Sequence, residues 1–221
     1  LARSLRDLER IGEAREVWER LLALLPDDEE ADQSVELMLS ESRDYERLAA
    51  HLSDRIQRLS RHDDQRDSVR AARLRRAAIL EQRLDRAEDA CRELESLLAE
   101  APQNESALRY LADLYERRGE FDRAAQLLRK LTDLARGPQT RNDLGLRAAF
   151  ALRDAGDLRS ALGLVKTLLE RDPDLDAMAL RVEISRTLGD DEELGSALEG
   201  AAASGRHAPG VAAEMWVEAA Q

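Results

Sequence analysis

Apolar residues between positions 105 and 137 recur every three or four residues, which is the spacing of one face of an α-helix. The first run of them ends at Gly119, and a second run begins at Phe121. Glycine stops a helix readily because it adopts a left-handed backbone conformation without steric cost. Ala124, near the start of the second run, is small enough to let two helices lie close together. The segment therefore predicts a pair of amphipathic helices, which needs neighbouring pairs to cover its apolar faces.

The same pattern recurs along the whole chain. The residue equivalent to Ala124, which we call the anchor, opens the second helix of each predicted pair. The anchors are Ala14, Leu48, Ala90, Ala124, Ala161 and Leu194, at intervals of 34, 42, 34, 37 and 33 residues. Glycine stands five residues before the last three anchors, at Gly119, Gly156 and Gly189. Proline stands twelve residues after three of the anchors, at Pro26, Pro102 and Pro173, where it ends one pair and turns the chain toward the next.

The second unit departs from this pattern. Leu48 occupies the anchor, where a small residue is expected, and Arg43 stands at the turn. Arg55 falls at a position that is apolar in the other units. We therefore expect its helices to pack less tightly or at a shifted angle. The two longest intervals add residues near 61–67 and 137–139, which predict a longer loop or extended helix ends.

These motifs resemble the tetratricopeptide repeat family, whose helix pairs repeat every 34 residues. The best matching unit contains Leu111, Ala112, Tyr115, Gly119, Phe121, Ala124 and Leu128. The resemblance covers essentially all of residues 1–221 and implies one all-α repeat domain. The expected fold is a right-handed α–α superhelix, or solenoid, of about six helix pairs that is truncated at both ends. The expected units are residues 1–26, 27–60, 66–103, 104–137, 138–173 and 174–205, followed by a half unit at 208–221.

The predicted half unit has no second helix to cover Met215 and Trp216. A repeat stack normally ends in a helix with a polar outer face, and this helix is not of that kind. We therefore expect both side chains to be exposed. An apolar patch at this end could drive self-association.

Composition and charge narrow the function. Hydrophobic residues make up 43% of the chain but aromatic residues only 3%, which favours helices over strands. The net charge of −12 disfavours a general nucleic-acid-binding role. No apolar run approaches the roughly 20 residues that a membrane span needs. Cys91 is the single cysteine and forms no internal disulfide, so cysteine usage does not determine the cellular compartment. The cytoplasm is slightly favoured.

No motif indicates catalysis. His51 and His62 would lie about 16 Å apart along a helix at 1.5 Å per residue, too far to share a metal ion, and we expect these histidines and His207 to be surface residues. Acidic residues from Asp172 to Glu183 partly match a calcium-binding loop, but Ala177 stands where the loop needs glycine. The chain also lacks phosphate-binding, nucleophile-elbow and zinc motifs. We therefore expect no enzymatic activity, cofactor, metal site or catalytic residue.

The family resemblance implies a protein or peptide partner on the concave face, which the first helices line. The matching positions are Gln33, Leu37, Arg75, Ile79, Arg109, Asp113, Leu146, Phe150, Arg153 and Glu183. Leu146 and Phe150 form an apolar pair flanked by Arg109 and Arg153, which suits an amphipathic or acidic peptide. Alternatively, Phe150 packs on a neighbouring helix. Some relatives clamp a terminal carboxylate, which Asp113 would repel here.

The main functional hypothesis is therefore a non-catalytic protein–protein interaction scaffold. The alternative is a regulatory or substrate-recruiting region of a larger enzyme or regulator. A helical-repeat nucleic-acid binder is disfavoured by the acidic charge.

Overall fold

A computed structural model describes residues 11–206 and 209–219, and all regular structure in these ranges is helical. Twelve α-helices follow one another: α1 Ile11–Leu24, α2 Glu29–Glu41, α3 Tyr45–Leu59, α4 Arg66–Gln82, α5 Ala87–Glu100, α6 Glu105–Arg118, α7 Phe121–Leu134, α8 Pro138–Asp154, α9 Leu158–Leu169, α10 Leu175–Leu188, α11 Asp191–Ala203 and α12 Pro209–Ala219. The predicted all-α, repeat-built fold is confirmed. His207 lies outside the described residues.

The extra residues of the two longest intervals lie at or just before the starts of α4 and α8. Part of the polar stretch 61–67 forms a short 3₁₀ helix, Asp63–Gln65, which leads directly into α4. The extra residues near 137–139 lengthen α8 at its start, where Pro138 occupies the first turn. Proline suits that position because the first backbone N–H groups of a helix have no partner within the helix. Both insertions therefore leave the helix pairs intact.

The chain forms two compact units, residues 1–102 and 103–221. Within each unit, every helix packs against the next helix in sequence. Ala124 and Ala161 are fully buried, as the close contact at the anchor predicts. Leu48, the large anchor of the second pair, is also buried, with 2% of its surface exposed. That the repeats form one domain stays a prediction.

One backbone conformation marks the turn inside each pair. The residue five positions before the anchor has a positive φ angle in all five pairs where it is described. These residues are Arg43, Asp85, Gly119, Gly156 and Gly189, with φ angles of 57°, 54°, 74°, 86° and 67°. Glycine adopts this conformation freely, whereas a residue with a Cβ atom is strained there. The turn geometry is therefore maintained even where the sequence does not favour it.

Unit 1 buries two carboxylates on α2. Asp32 and Glu36 expose only 5% and 3% of their surface. Arg55 places Nε 2.8 Å from Asp32 Oδ2, and its Nη1 donates a hydrogen bond of 3.0 Å to Glu36 Oε2. Arg58 donates to Asp32 Oδ1 at 2.7 Å. The arginine that departs from the apolar pattern is thus the counter-ion of two buried acids. We call Asp32, Glu36, His51, Arg55 and Arg58 the charged core cluster.

The prediction that His51 is a surface residue was wrong. Its side chain is only 12% exposed, and Nε2 lies 3.2 Å from Oδ1 of Asp32, without good hydrogen-bond alignment. His51 precedes Arg55 by one helical turn, so both face α2. The buried carboxylate on the neighbouring helix therefore brings the imidazole inward, a feature that the helical period of α3 does not show.

The charged core cluster also determines how Asp32 titrates. Burial raises the pKa of Asp32, but the His51 imidazole, the Arg58 hydrogen bond and the charge of Arg55 lower it by more. The pKa of Asp32 is therefore lower in the folded protein than in the unfolded chain. A carboxylate with a lowered pKa contributes stability above its unfolded pKa, and this contribution is lost as the pH falls through the folded pKa.

We expect Asp32→Asn to lower the free energy of unfolding by about 3 kcal/mol at pH 7, because it leaves two arginines without their shared carboxylate. Urea denaturation measures this loss. The difference from wild type should shrink below about pH 4, as the wild-type carboxylate becomes protonated. Glu46→Gln is the matched control, since the exposed pair between Glu46 and Arg86 should contribute less than about 0.5 kcal/mol. A pH-independent difference would contradict the charge-based explanation.

A second prediction concerns the left-handed turn. Arg43→Gly should raise the free energy of unfolding by about 0.5–1 kcal/mol, because relief of the left-handed strain exceeds the entropic cost of glycine. Gly156→Ala should lower it by about 1 kcal/mol. A Cβ atom at Gly156 would meet nothing within 4 Å, so only the backbone conformation is tested there. Thermal and urea unfolding check both changes, and destabilisation by Arg43→Gly would contradict the prediction.

Candidate partner-binding surface

Ion pairs join the first helices of unit 2, which are α6, α8, α10 and α12. Arg147 on α8 donates to Asp113 Oδ1 on α6 at 2.7 Å, and it also pairs with Glu116. Arg153 on α8 approaches Glu183 on α10 within 3.1 Å. A further pair joins Arg186 on α10 to Glu218 on α12. We call these pairs the arginine ladder.

The arginine ladder raises the pKa of two of its arginines, Arg147 and Arg153. Burial lowers the pKa of Arg147, but hydrogen bonds to Asp113 and Glu116 raise it by more. Burial likewise lowers the pKa of Arg153, and its hydrogen bond to Asp154 and the charge of Glu183 outweigh that effect. Both guanidinium groups are therefore held as cations between carboxylates on neighbouring helices.

Phe150 lies in the middle of this surface. Its ring is half-buried, and the guanidinium carbon of Arg153 lies 5.0 Å from the ring centroid. Leu146, one helical turn earlier on α8, is also half-buried. An arginine over an aromatic ring is attracted by the negative face of the ring. Leu146 and Phe150 are therefore partly accessible, and Phe150 contacts Arg153, one of the predicted flanking arginines.

The α6 residues of the predicted site differ in their surroundings. Asp113 is half-buried and engaged by Arg147, so its negative charge is partly compensated. Arg109 is exposed and lines a cavity of about 410 Å³ together with Leu131 and Leu144. The Arg109 guanidinium is therefore accessible to solvent at the edge of this surface.

Four predicted residues belong to unit 1, and two of them, Gln33 and Leu37 on α2, are exposed. Arg75 on α4 is 53% exposed and pairs with the buried Glu36 on α2. Ile79, one turn later, exposes only 8% of its surface and packs in the core. In this structure Arg75 is thus partly accessible, whereas Ile79 offers little surface to a partner.

The sequence prediction missed Arg147 and Arg186, two of the arginines that build this surface. Arg147 lies 34 residues after Asp113, and the anchors of these two units are 37 residues apart, so Arg147 stands about one helical turn before the position equivalent to Asp113. An acid and an arginine one period apart are a usable signal for such a pair. Asp32 and Glu36 offered a similar signal, because they lie on the apolar face of α2 next to Ala31 and Val35.

The described surface is suited to binding through apolar, cationic and mixed-charge contacts. Within residues 11–206 and 209–219, no group of three or more His, Cys, Asp or Glu side chains could hold a metal ion. None of the helices in those ranges combines the length and apolarity needed to cross a membrane.

The chain is similar to known repeat proteins. The sequence profile of the tetratricopeptide repeat matches residues 78–142. A chain from the structure of Naa15/Naa10 bound to HypK-THB is 16% identical, with a TM-score of 0.53; the alignment covers all of this chain and 38% of the other. A tetratricopeptide repeat protein from Parabacteroides merdae is 14% identical with a TM-score of 0.46, at coverages of 100% and 96%. BtubC from P. vanneervenii is 15% identical with a TM-score of 0.49, at coverages of 97% and 86%.

No curated protein sequence matches this chain. At 16% identity, the chain with a TM-score of 0.53 supports the fold alone. The sequence match spans the end of α4, the whole of α5, α6 and α7, and the start of α8. Helix pairs with the same left-handed turn continue on both sides of it, from Arg43 to Gly189. The match at residues 78–142 and the helix pairs on both sides of it support a tetratricopeptide repeat architecture.

Proposed function

We propose that this chain is a scaffold without catalysis of its own that binds a peptide or partner helix on the first helices of unit 2. The tetratricopeptide repeat fold generally mediates protein–protein interactions. The observation that carries the more specific proposal is the half-buried Phe150 ring beneath Arg153, with Leu146 one turn away. We call Arg109, Asp113, Leu146, Phe150 and Arg153 the α6–α8 face.

Phe150 and Arg153 provide the main anchoring chemistry. Aromatic and arginine side chains contribute a large share of the binding energy in protein interfaces, because they combine apolar area with directional polar contacts. A partner side chain that covers the ring removes apolar surface from water, at about 25 cal/mol per Å². The Arg153 guanidinium would keep its contact with the ring and become partly desolvated. Desolvation strengthens the cation–π attraction.

The arginine ladder supports binding by holding the surface in place. Arg147 ties α8 to α6, and Arg153 ties α8 to α10. Side chains already fixed by such contacts lose less conformational freedom when a partner arrives. We therefore expect the backbone of the α6–α8 face to change little on binding.

The charges on the α6–α8 face favour an amphipathic or acidic peptide. Arg109 is exposed, and Arg153 keeps 27% of its side-chain surface accessible beside the ring. Asp113 is the opposing charge, but Arg147 compensates it. A carboxylate near the apolar contact could thus approach an arginine without meeting an uncompensated acid. Electrostatic contacts of this kind favour selectivity and faster association.

The test is Phe150→Ala in the whole chain, measured against peptides selected from a displayed random 12-residue library. We expect unchanged helicity by circular dichroism and about tenfold weaker binding by calorimetry, because truncating a central aromatic contact costs more than about 1 kcal/mol. Phe121→Ala is the matched control, since Phe121 packs beside the Gly119 turn and should affect stability rather than affinity. Equal affinities of wild type and Phe150→Ala would refute this site.

A further inference from the structure

Unit 2 contains an apolar cavity of about 520 Å³ between α10, α11 and α12. Its apolar lining comes from all three helices: Met178, Val182, Leu198, Ala201, Val211 and Met215. We call it the methionine cavity. Methionine side chains are unbranched and polarisable, so a cavity lined by two of them can adjust to apolar groups of different shape.

The repeat register explains why this cavity exists. Seven residues after the anchor, three preceding units carry a leucine that is buried in the core: Leu97, Leu131 and Leu168. The last unit has Ala201 at this position. Replacing leucine by alanine removes most of a side chain, and the surrounding helices close such a gap only in part. The missing side-chain volume therefore leaves space that an incoming apolar group can occupy.

The rim of the methionine cavity is acidic. Three glutamates and one arginine lie around the apolar lining: Glu183, Glu214, Glu218 and Arg186. Arg186 pairs with Glu218, and Arg153 pairs with Glu183. Glu214 is exposed and forms no ion pair with any residue that the structure describes. Among the described residues, Glu214 is therefore the rim carboxylate without a compensating charge, directly beside an apolar opening.

We infer that the methionine cavity binds one large apolar side chain of a partner peptide that carries lysine or arginine about one helical turn away. The apolar group would fill the space that Ala201 leaves, and the basic group would pair with Glu214. This inference rests on the proposed scaffold function, because it assigns a second anchoring point and a partner charge at the α12 end of the first helices. It differs from the α6–α8 face, where arginines favour an acidic group.

Electrostatics favours a basic peptide over a second copy of this chain. The chain has a net charge of −12, and a second α12 helix would bring further glutamates against Glu214 and Glu218. Like charges in contact oppose association, whereas a basic peptide would be attracted to the same rim. Self-association through Met215 and Trp216 stays a prediction that the same experiment tests.

The experiment selects binders to the whole 221-residue chain from a displayed random 12-residue peptide library and measures their affinities by calorimetry. Val211→Trp narrows the cavity opening without a change in charge, and Val217→Trp is its matched control. Val211 is 43% exposed and lines the cavity, whereas Val217 is 61% exposed on the same helix and does not. Glu214→Lys reverses the free rim charge, and Glu199→Lys, on the exposed side of α11, is its control.

We expect selected peptides to combine a bulky apolar residue with lysine or arginine three or four positions away. Val211→Trp should weaken their binding about tenfold and Glu214→Lys about three- to tenfold, because these changes remove one hot-spot pocket and one complementary charge. The two control variants should stay within about twofold of wild type. Circular dichroism should show the same helicity for all four variants, since every altered residue is exposed.

Distinct results separate this inference from the proposed α6–α8 site. Binding that Phe150→Ala weakens, but Val211→Trp and Glu214→Lys leave unchanged, overturns the methionine cavity and retains the proposed site. Binding that only the cavity variants weaken supports the cavity and refutes the role of Phe150. Failure to enrich any peptide, or enrichment without basic residues, overturns the cavity. Concentration-dependent dimers that Val211→Trp abolishes would also overturn it, because they identify a second copy as the occupant.

Discussion

Close contact at the anchor is the constraint on which each helix pair depends. Ala14, Ala90, Ala124 and Ala161 have no exposed surface, so each second helix approaches its neighbours as closely as a methyl group allows. This approach lets apolar residues four and seven positions later reach the core, as Leu94, Leu97, Leu128 and Leu131 do. Packing density is high there and lost volume is costly. Leu48 shows that a larger anchor is accommodated in unit 1. Where the later leucine is missing, as at Ala201, a cavity remains.

The anchor contact also explains the turn that precedes it. The chain must reverse five residues before the anchor, and the left-handed residue achieves this with a single backbone conformation. In unit 2, glycine supplies it freely, but in unit 1 Arg43 and Asp85 adopt it despite their side chains. A left-handed residue costs roughly 1–2 kcal/mol, while burial of one leucine contributes about 1.5–3 kcal/mol. The packing of the pair therefore outweighs the local preference of the turn residue.

Arginine plays two physical roles in this acidic chain. In unit 1, Arg55 and Arg58 neutralise carboxylates that are almost fully buried, where an unpaired charge would be strongly destabilising. In unit 2, Arg147 and Arg153 join first helices across a more exposed surface, where each pair contributes less to stability and more to positioning. The planar guanidinium suits both roles because it can contact two carboxylates at once.

The sequence alone predicts the helices, their pairing and the turns, because the apolar period, the glycines and the small anchors are local properties of the chain. It also placed Leu146, Phe150 and Arg153 near one another, since they share one helix. The burial of Asp32 and Glu36 against Arg55 depends on contacts between helices. The inward position of His51 and the core position of Ile79 depend on such contacts as well. The methionine cavity and the arginine ladder likewise depend on which side chains of separate helices meet. Such contacts depend on distances between helices about one repeat apart, which a periodic pattern does not specify.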